Sequence, residues 1–254
     1  MGTEESLLDI LGVPVVKANE YETLQLVASF LKTPGIKHVA TVNPEYVMLA
    51  HRNPEFHDLL KRTELNIPDG IGIVWASRLL GEPLPGRITG TDLLPLICGL
   101  CSRQGYRVFL LGGRPGIAEQ AAAILEREFP GLIVAGTSSN DPSPETDPQM
   151  VAAINSSGAD VLAVAYGCPK QDFWIDANRE RLTGVRLAIG VGGALDFISG
   201  EMPRAPRPLR RAGLEWLFRF WLEPGRWRRM ASLPRFGWRV LKTRRSTDRG
   251  TRPK

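Results

Sequence analysis

A chain of 254 residues, 43% hydrophobic and 23% charged, can bury one substantial core, and its length fits a single α/β domain with an appendage better than two domains. No apolar run reaches the roughly 18 residues a spanning helix needs, and the opening MGTEESLLDI is acidic where a secretory signal would be basic, so a cytoplasmic chain is expected. The net charge of +5 is uneven: residues 1–200 hold 16 Lys and Arg against 23 Asp and Glu, net −7, and residues 201–254 hold 16 against 4, net +12.

In chain order, IKHVATV (36–42) reads as a buried strand, followed by helices over 45–51, 71–80 and 92–103. RVFLLG (107–112) is the second strand, leading into a helix over 116–129, and LIVAGT (132–137) is the third. The segment 138–149, rich in Ser, Pro, Asn and Asp, is a loop. A helix over 148–156, a strand DVLAVAYG (160–167), a helix over 170–182 and a strand VRLAIGVGG (185–193) complete the alternation. Apolar strands without internal alternation, each followed by a helix, predict an α/β fold: a mainly parallel, Rossmann-like sheet covered by helices on both faces. From Gly200 the style changes. Prolines at 203, 206, 208, 224 and 234 divide a basic stretch that carries Trp216, Trp221, Trp227 and Trp238, four of the six tryptophans. The expected division is therefore a core over 1–200, a basic, aromatic-rich helical appendage over 201–245 and a disordered tail over 246–254.

Cys98 and Cys101 lie one helical turn apart in an apolar stretch, and three cysteines cannot all pair, so buried reduced thiols are expected rather than a zinc site. His38, His51 and His57 show no triad or metal spacing.

Ligands of parallel sheets sit at the strands' carboxyl ends, which directs attention to four turns. These are TVNP (41–44) with Thr41 and Asn43, LGGRPG (111–116) with Gly112 and Gly113, YGCPKQ (166–171) with Gln171, and GVGG (190–193) with Gly192 and Gly193. Their glycines suit either phosphate binding or tight turning. Asp69, in NIPDGIG, precedes a helix. It reads either as an N-cap or as a general base taking a proton from an attacking hydroxyl. Arg87, between Gly86 and Gly90 in PGRITGTDL, reads as a clamp for an anion such as a diphosphate. There is no DxD to hold a divalent cation, so side-chain cations would have to neutralise a nucleotide leaving group.

Taken together, TVNPEYVMLA, IPDGIGIVWASRLLG, RITGTDL, FLLGGRPG, VAYGCPKQDFWI, AIGVGGALDFISG and RAPRPLRRAGLEWLFRFWLEP resemble the WecG/TagA/CpsF family of glycosyltransferases in order and spacing, from about residue 8 to residue 225. The resemblance implies an inverting glycosyltransferase without metal or other cofactor. It would move N-acetylmannosamine or a relative from a UDP-sugar to a polyprenyl-diphosphate-linked sugar at the cytoplasmic membrane face, in teichoic-acid, common-antigen or capsule assembly. By motif, Asp69 matches the catalytic base, Thr41 and Asn43 pocket residues, Arg87 the diphosphate contact and Gln171 a substrate-binding residue. Asp172 stands where the family commonly has Glu. The appendage arginines Arg204, Arg207, Arg210 and Arg211 match a membrane-recruiting element that helps complete the active site, and self-association is expected. The interleaved Trp, Phe and Leu favour an anionic membrane surface over nucleic acid as partner of the tail. Two other readings use the same glycines: a non-catalytic nucleotide-binding protein held at the membrane by its tail, and an NAD oxidoreductase with Glu128 as ribose ligand. The latter is disfavoured because Glu128 falls inside a helix and GGRPG is not the dinucleotide fingerprint.

Overall fold

The computed structural model describes residues 6–143, 147–222 and 232–250. Six strands form one parallel sheet in the order β4-β3-β8-β7-β5-β6: β3 Lys37–Val42, β4 Leu65–Pro68, β5 Arg107–Gly112, β6 Ile133–Ser138, β7 Val161–Ala165 and β8 Leu187–Gly190. A separate antiparallel hairpin, β1 Leu7–Ile10 and β2 Val13–Val16, precedes it.

The alternation of side chains along β5 explains why the strands lack polar positions. Val108 and Leu110 face one apolar cluster while Phe109 and Leu111 face another. The first cluster is closed by α1 Glu20–Leu31, α5 Gly90–Gln104, α6 Ile117–Glu128 and the short α9 Ala194–Ile198. The second is closed by α7 Asp147–Ser157 and α8 Lys170–Asn178. A third cluster joins the hairpin to α2 Pro44–Ala50, α3 Pro54–Arg62 and α4 Ile71–Leu79 beside β3. His57 pins the hairpin turn, with Nε2 3.0 Å from the Gly12 carbonyl.

The appendage comprises α10 Arg207–Arg211, α11 Glu215–Leu222 and α12 Ser232–Gly250. It is packed onto the core: Phe236 and Val240 of α12 are buried in the third cluster. Pro234 is the third residue of α12, in the first turn where proline costs no hydrogen bond, so the helix runs on for 19 residues. It continues to Gly250, five residues into the tail expected to be disordered; residues 251–254 and Trp227 lie outside the described residues. Cys98 and Cys101 are free and buried on α5. Burial pushes both thiols up, Cys101 to about 12.

Candidate active site

At the carboxyl ends of β3, β4, β7 and β8 lies a cavity of about 570 Å³, within the range of small-molecule sites. Its lining brings together Thr41, Asn43, Asp69, Arg87, Gln171, Gly192 and Gly193.

The turn that carries Asp69 is built by its neighbours. Asp69 donates its N–H to the Val42 carbonyl at 2.8 Å, which ties the end of β4 to the end of β3. The N-cap of α4 is Gly70, at φ +88°, and no side chain caps this helix. A left-handed backbone there favours glycine. Gly72 has a different reason: a Cβ on it would lie 2.6 Å from Cγ of Pro44, so its absence lets the starts of α2 and α4 close on each other. Both glycines of NIPDGIG thus help to place Asp69 at the cavity, and the N-cap position falls on Gly70 rather than on Asp69.

Asn43 is the N-cap of α2. Its Oδ1 accepts from the backbone N–H groups of Glu45 and Tyr46 at 2.9 and 3.2 Å, so its amide nitrogen is what it can offer a ligand. Thr41 is buried, and its hydroxyl donates to the Gly190 carbonyl at 3.0 Å, stitching β3 to β8. Arg87 donates from Nη2 to the Arg210 carbonyl at 2.6 Å, which joins the loop before α5 to α10. Gln171 is also buried, and its amide is committed: Oε1 accepts from the N–H groups of Gly167 and Gly192 at 3.1 and 3.0 Å, and Nε2 donates to the Tyr46 hydroxyl at 2.8 Å. Gly192 thereby spends its N–H on a side chain and has none left for a phosphate.

The other glycine pair is not brought to the cavity. Gly112 and Gly113 sit at φ +100° and +85° where β5 turns towards α6, and a Cβ on Gly112 would lie 2.9 Å from the backbone of Ala165, so close strand packing accounts for it. Among the described side chains, those of Arg204, Arg207 and Arg210 are likewise not part of the lining. Arg204 pairs with Asp92 at 2.9 Å and with Glu215 at 3.6 Å, fixing the appendage to α5. Burial alone would raise the Asp92 carboxyl, but hydrogen bonds from Arg204 and Thr89 outweigh it and hold the group below the usual range. Arg207 is exposed, Arg210 contributes its carbonyl, and the side chain of Arg211 lies outside the described residues.

The appendage lines the cavity with other residues: Gly213, Leu214, Glu215 and Trp216 from the α10–α11 turn, and Leu233 and Phe236 from α12. Trp75 of α4, 63% exposed, also lines it. Sequence reasoning missed these and Tyr46, although Tyr46 lies three residues after the Asn43 cap, a spacing that returns a helix to the same face.

The geometry agrees with the comparisons. A family model described as "Glycosyl transferase WecG/TagA/CpsF family" matches residues 8–250. A protein of Bacillus spizizenii named N-acetylglucosaminyldiphosphoundecaprenol N-acetyl-beta-D-mannosaminyltransferase is 36% identical over 209 residues, 82% of this chain and 80% of its own. Proteins of the same name from Bacillus subtilis and Staphylococcus aureus are 34% identical over 204 residues (80% of this chain, 78% of that protein) and 29% identical over 241 residues (94% and 93%). With the family model spanning the sheet, the cavity and the appendage alike, the chain belongs to the WecG/TagA/CpsF family of glycosyltransferases.

Proposed function

We propose that the chain moves N-acetylmannosamine from UDP to the sugar of a polyprenyl-diphosphate-linked acceptor, with inversion, at the inner face of the cell membrane. The observation that carries this reading is that Asp69, one residue before the N-cap position of α4, lines the same strand-end cavity as Arg87. The shared name of the three relatives supports the sugar and the acceptor.

In the proposed reaction an acceptor hydroxyl attacks the anomeric carbon from the face opposite the diphosphate while Asp69 takes its proton. The bond from the anomeric carbon to the diphosphate oxygen breaks, and UDP leaves with the electron pair. One displacement gives inversion. Arg87 meets the negative charge that develops on the leaving diphosphate, in a cleft walled largely by apolar side chains such as Ile71, Leu79 and Phe197. The test is UDP release from UDP-N-acetylmannosamine by the full chain, with and without a polyprenyl-diphosphate-N-acetylglucosamine acceptor. Acceptor-dependent release is expected, and release that ignores the acceptor would count against transfer.

Recruitment to the membrane is supported by the outer surface of the appendage. Leu217, Trp221, Trp238 and Leu241 are exposed, Arg235, Lys242 and Arg244 stand beside them, and Lys242 Nζ lies 5.5 Å from the Trp238 ring centre. Among the described residues no helix is long and apolar enough to cross a membrane. Deleting the appendage would strip Phe236 and Val240 from the core, so a surface variant is the cleaner probe. Leu217→Ser, Trp221→Ser and Trp238→Ser combined should weaken co-sedimentation with anionic liposomes at least ~10-fold, because each removes apolar area from the bound face. Equal sedimentation of variant and wild type would exclude this face as the membrane contact.

A further inference from the structure

From the edge of the cavity, where Gln171 and Tyr46 border it, a chain of four buried polar side chains from three parts of the sequence runs into the interior. It begins with the two N–H groups of Gly167 and Gly192, which converge on Oε1 of Gln171. Gln171 Nε2 donates to the Tyr46 hydroxyl at 2.8 Å, and that hydroxyl donates to Oδ2 of Asp172 at 2.8 Å. The other carboxylate oxygen, Oδ1, stands 3.3 Å from Nε2 of His38. Gln171, Tyr46, Asp172 and His38 are each at most 2% exposed.

Such a chain is costly to assemble in an apolar interior, since each of its polar groups must be taken out of water and paired again. Its outcome is specific. Gly167 lies in the turn after β7, Gly192 in the turn after β8, and both line the cavity. A single amide oxygen holds them, so the orientation of that amide sets how far apart the two turns stand. The amide is in turn oriented by the Tyr46 hydroxyl, because an amide nitrogen can only donate and the hydroxyl offers it an acceptor. Burial, and then the Asp172 charge, push the Tyr46 phenol well above its usual range, so it remains a neutral donor to Asp172. Asp172 fixes the direction of that O–H, and His38 on β3 faces the carboxylate from the sheet.

We propose that Tyr46 is a positioning residue for the nucleotide-sugar donor: through Gln171 it sets the spacing of the β7–α8 and β8–α9 turns that form one wall of the donor site, with Asp172 and His38 as its anchor. This inference rests on the donor reading above, because strand-end turns of a parallel sheet are where a nucleotide would lie. Tyr46 borders the cavity but is only 2% exposed, and its hydroxyl is held by Gln171 and Asp172, so loss of the hydroxyl acts through the turns, on binding rather than on the displacement.

The experiment compares the full wild-type chain with Tyr46→Phe, which keeps the ring and removes the hydroxyl. Two readouts are taken: amide hydrogen exchange of the segments 163–172 and 188–195 without ligand, and the Kd for UDP together with KM and kcat for UDP-N-acetylmannosamine. Faster exchange in both segments is expected, with a Kd and donor KM raised about tenfold, the scale of one lost buried hydrogen bond, and kcat changed by less than about threefold. Asp172→Asn keeps an oxygen to receive the Tyr46 proton and should fall between the two. If Tyr46→Phe does not fold, Asp172→Asn carries the same comparison against His38→Ala, which should approach the expected behaviour of Tyr46→Phe. Unchanged exchange in both segments, or a fall in kcat with KM unmoved, would overturn the positioning role while leaving the donor reading intact. A wild-type chain that binds neither UDP nor its sugar would overturn the donor reading and, with it, the donor part of this inference.

Discussion

Asp69→Asn should lower kcat for sugar transfer by at least ~10², with the Kd for UDP unchanged within about twofold, because the amide keeps the shape of the carboxylate and loses its capacity to take a proton. The two readings that the sequence left open for Asp69 make opposite claims about this variant. A capping aspartate replaced by asparagine, an equally good cap, would leave turnover and stability nearly unchanged, whereas Asp69→Ala would cost about 1 kcal/mol of stability. In the structure Gly70, not Asp69, occupies the N-cap position of α4, and asparagine keeps the size and the hydrogen-bonding oxygen of the side chain it replaces. The melting temperature should therefore hold while the rate falls. Measurement of acceptor-dependent UDP release alongside thermal unfolding separates the two. Turnover within threefold of wild type would remove Asp69 from the role of base, and the nearest other carboxylates of the cavity lining, Glu45 and Glu215, would become the candidates.

Legibility in the sequence followed the length and purity of the apolar runs. β5, β7 and β8 were readable because both faces of the sheet are covered there, which makes them nearly unbroken apolar runs; β3 carries Lys37, His38 and Thr41 within its run, and β6, expected to be buried, is a half-exposed edge strand. β4 is only Leu65–Pro68, with Asn66 inside it and proline at its end, too short and too polar for the same signal. The hairpin of β1 and β2 was missed because its turn uses Leu11 and Gly12, at φ 55° and 92°, and not the Asn-Gly or Asp-Gly pair that announces such turns. α1 did carry a signal that was passed over: Asn19 and Glu22 form a reciprocal capping box. The candidate site was legible where it depends on strand ends: Thr41 is the penultimate residue of β3, Asn43, Asp69 and Gly192 fall one or two residues beyond a strand, and Gln171 lies at the start of the helix after β7. What could not be read is whatever depends on elements distant in sequence meeting in space. Gly112 resembles Gly192 in its local sequence, yet one packs against Ala165 and the other borders the cavity. The arginines of the appendage drew attention by their charge, whereas the wall it presents is made of Leu214, Glu215, Trp216 and Phe236.

Arg87→Ala should reduce kcat/KM for transfer by ~10²–10³, the scale of losing one preorganised donor to a developing negative charge. The guanidinium has five N–H donors in a planar fork, and the structure commits one of them to the Arg210 carbonyl at 2.6 Å. That bond fixes the plane of the fork and leaves its other donors for the two phosphates of the leaving group. It also joins the loop before α5 to α10, a structural role that a rate measurement alone would not separate from the proposed one, since loss of Arg87 also unfastens the appendage that walls the cavity. Arg87→Lys resolves the ambiguity, because an ammonium can still neutralise charge but cannot span two phosphate oxygens as a fork does. If the leaving group is what Arg87 serves, Arg87→Lys should recover part of the rate, and limited proteolysis should cleave the appendage of wild type and Arg87→Lys at similar speed. If the tether is what matters, all of the lost rate should track faster cleavage near 203–206 in both variants. A kcat/KM within threefold of wild type in Arg87→Ala would take the arginine out of the chemistry altogether, and charge on the departing diphosphate would then have to be met from Arg204, Arg207, Arg210 or Arg211 after a movement of α10 towards the cavity.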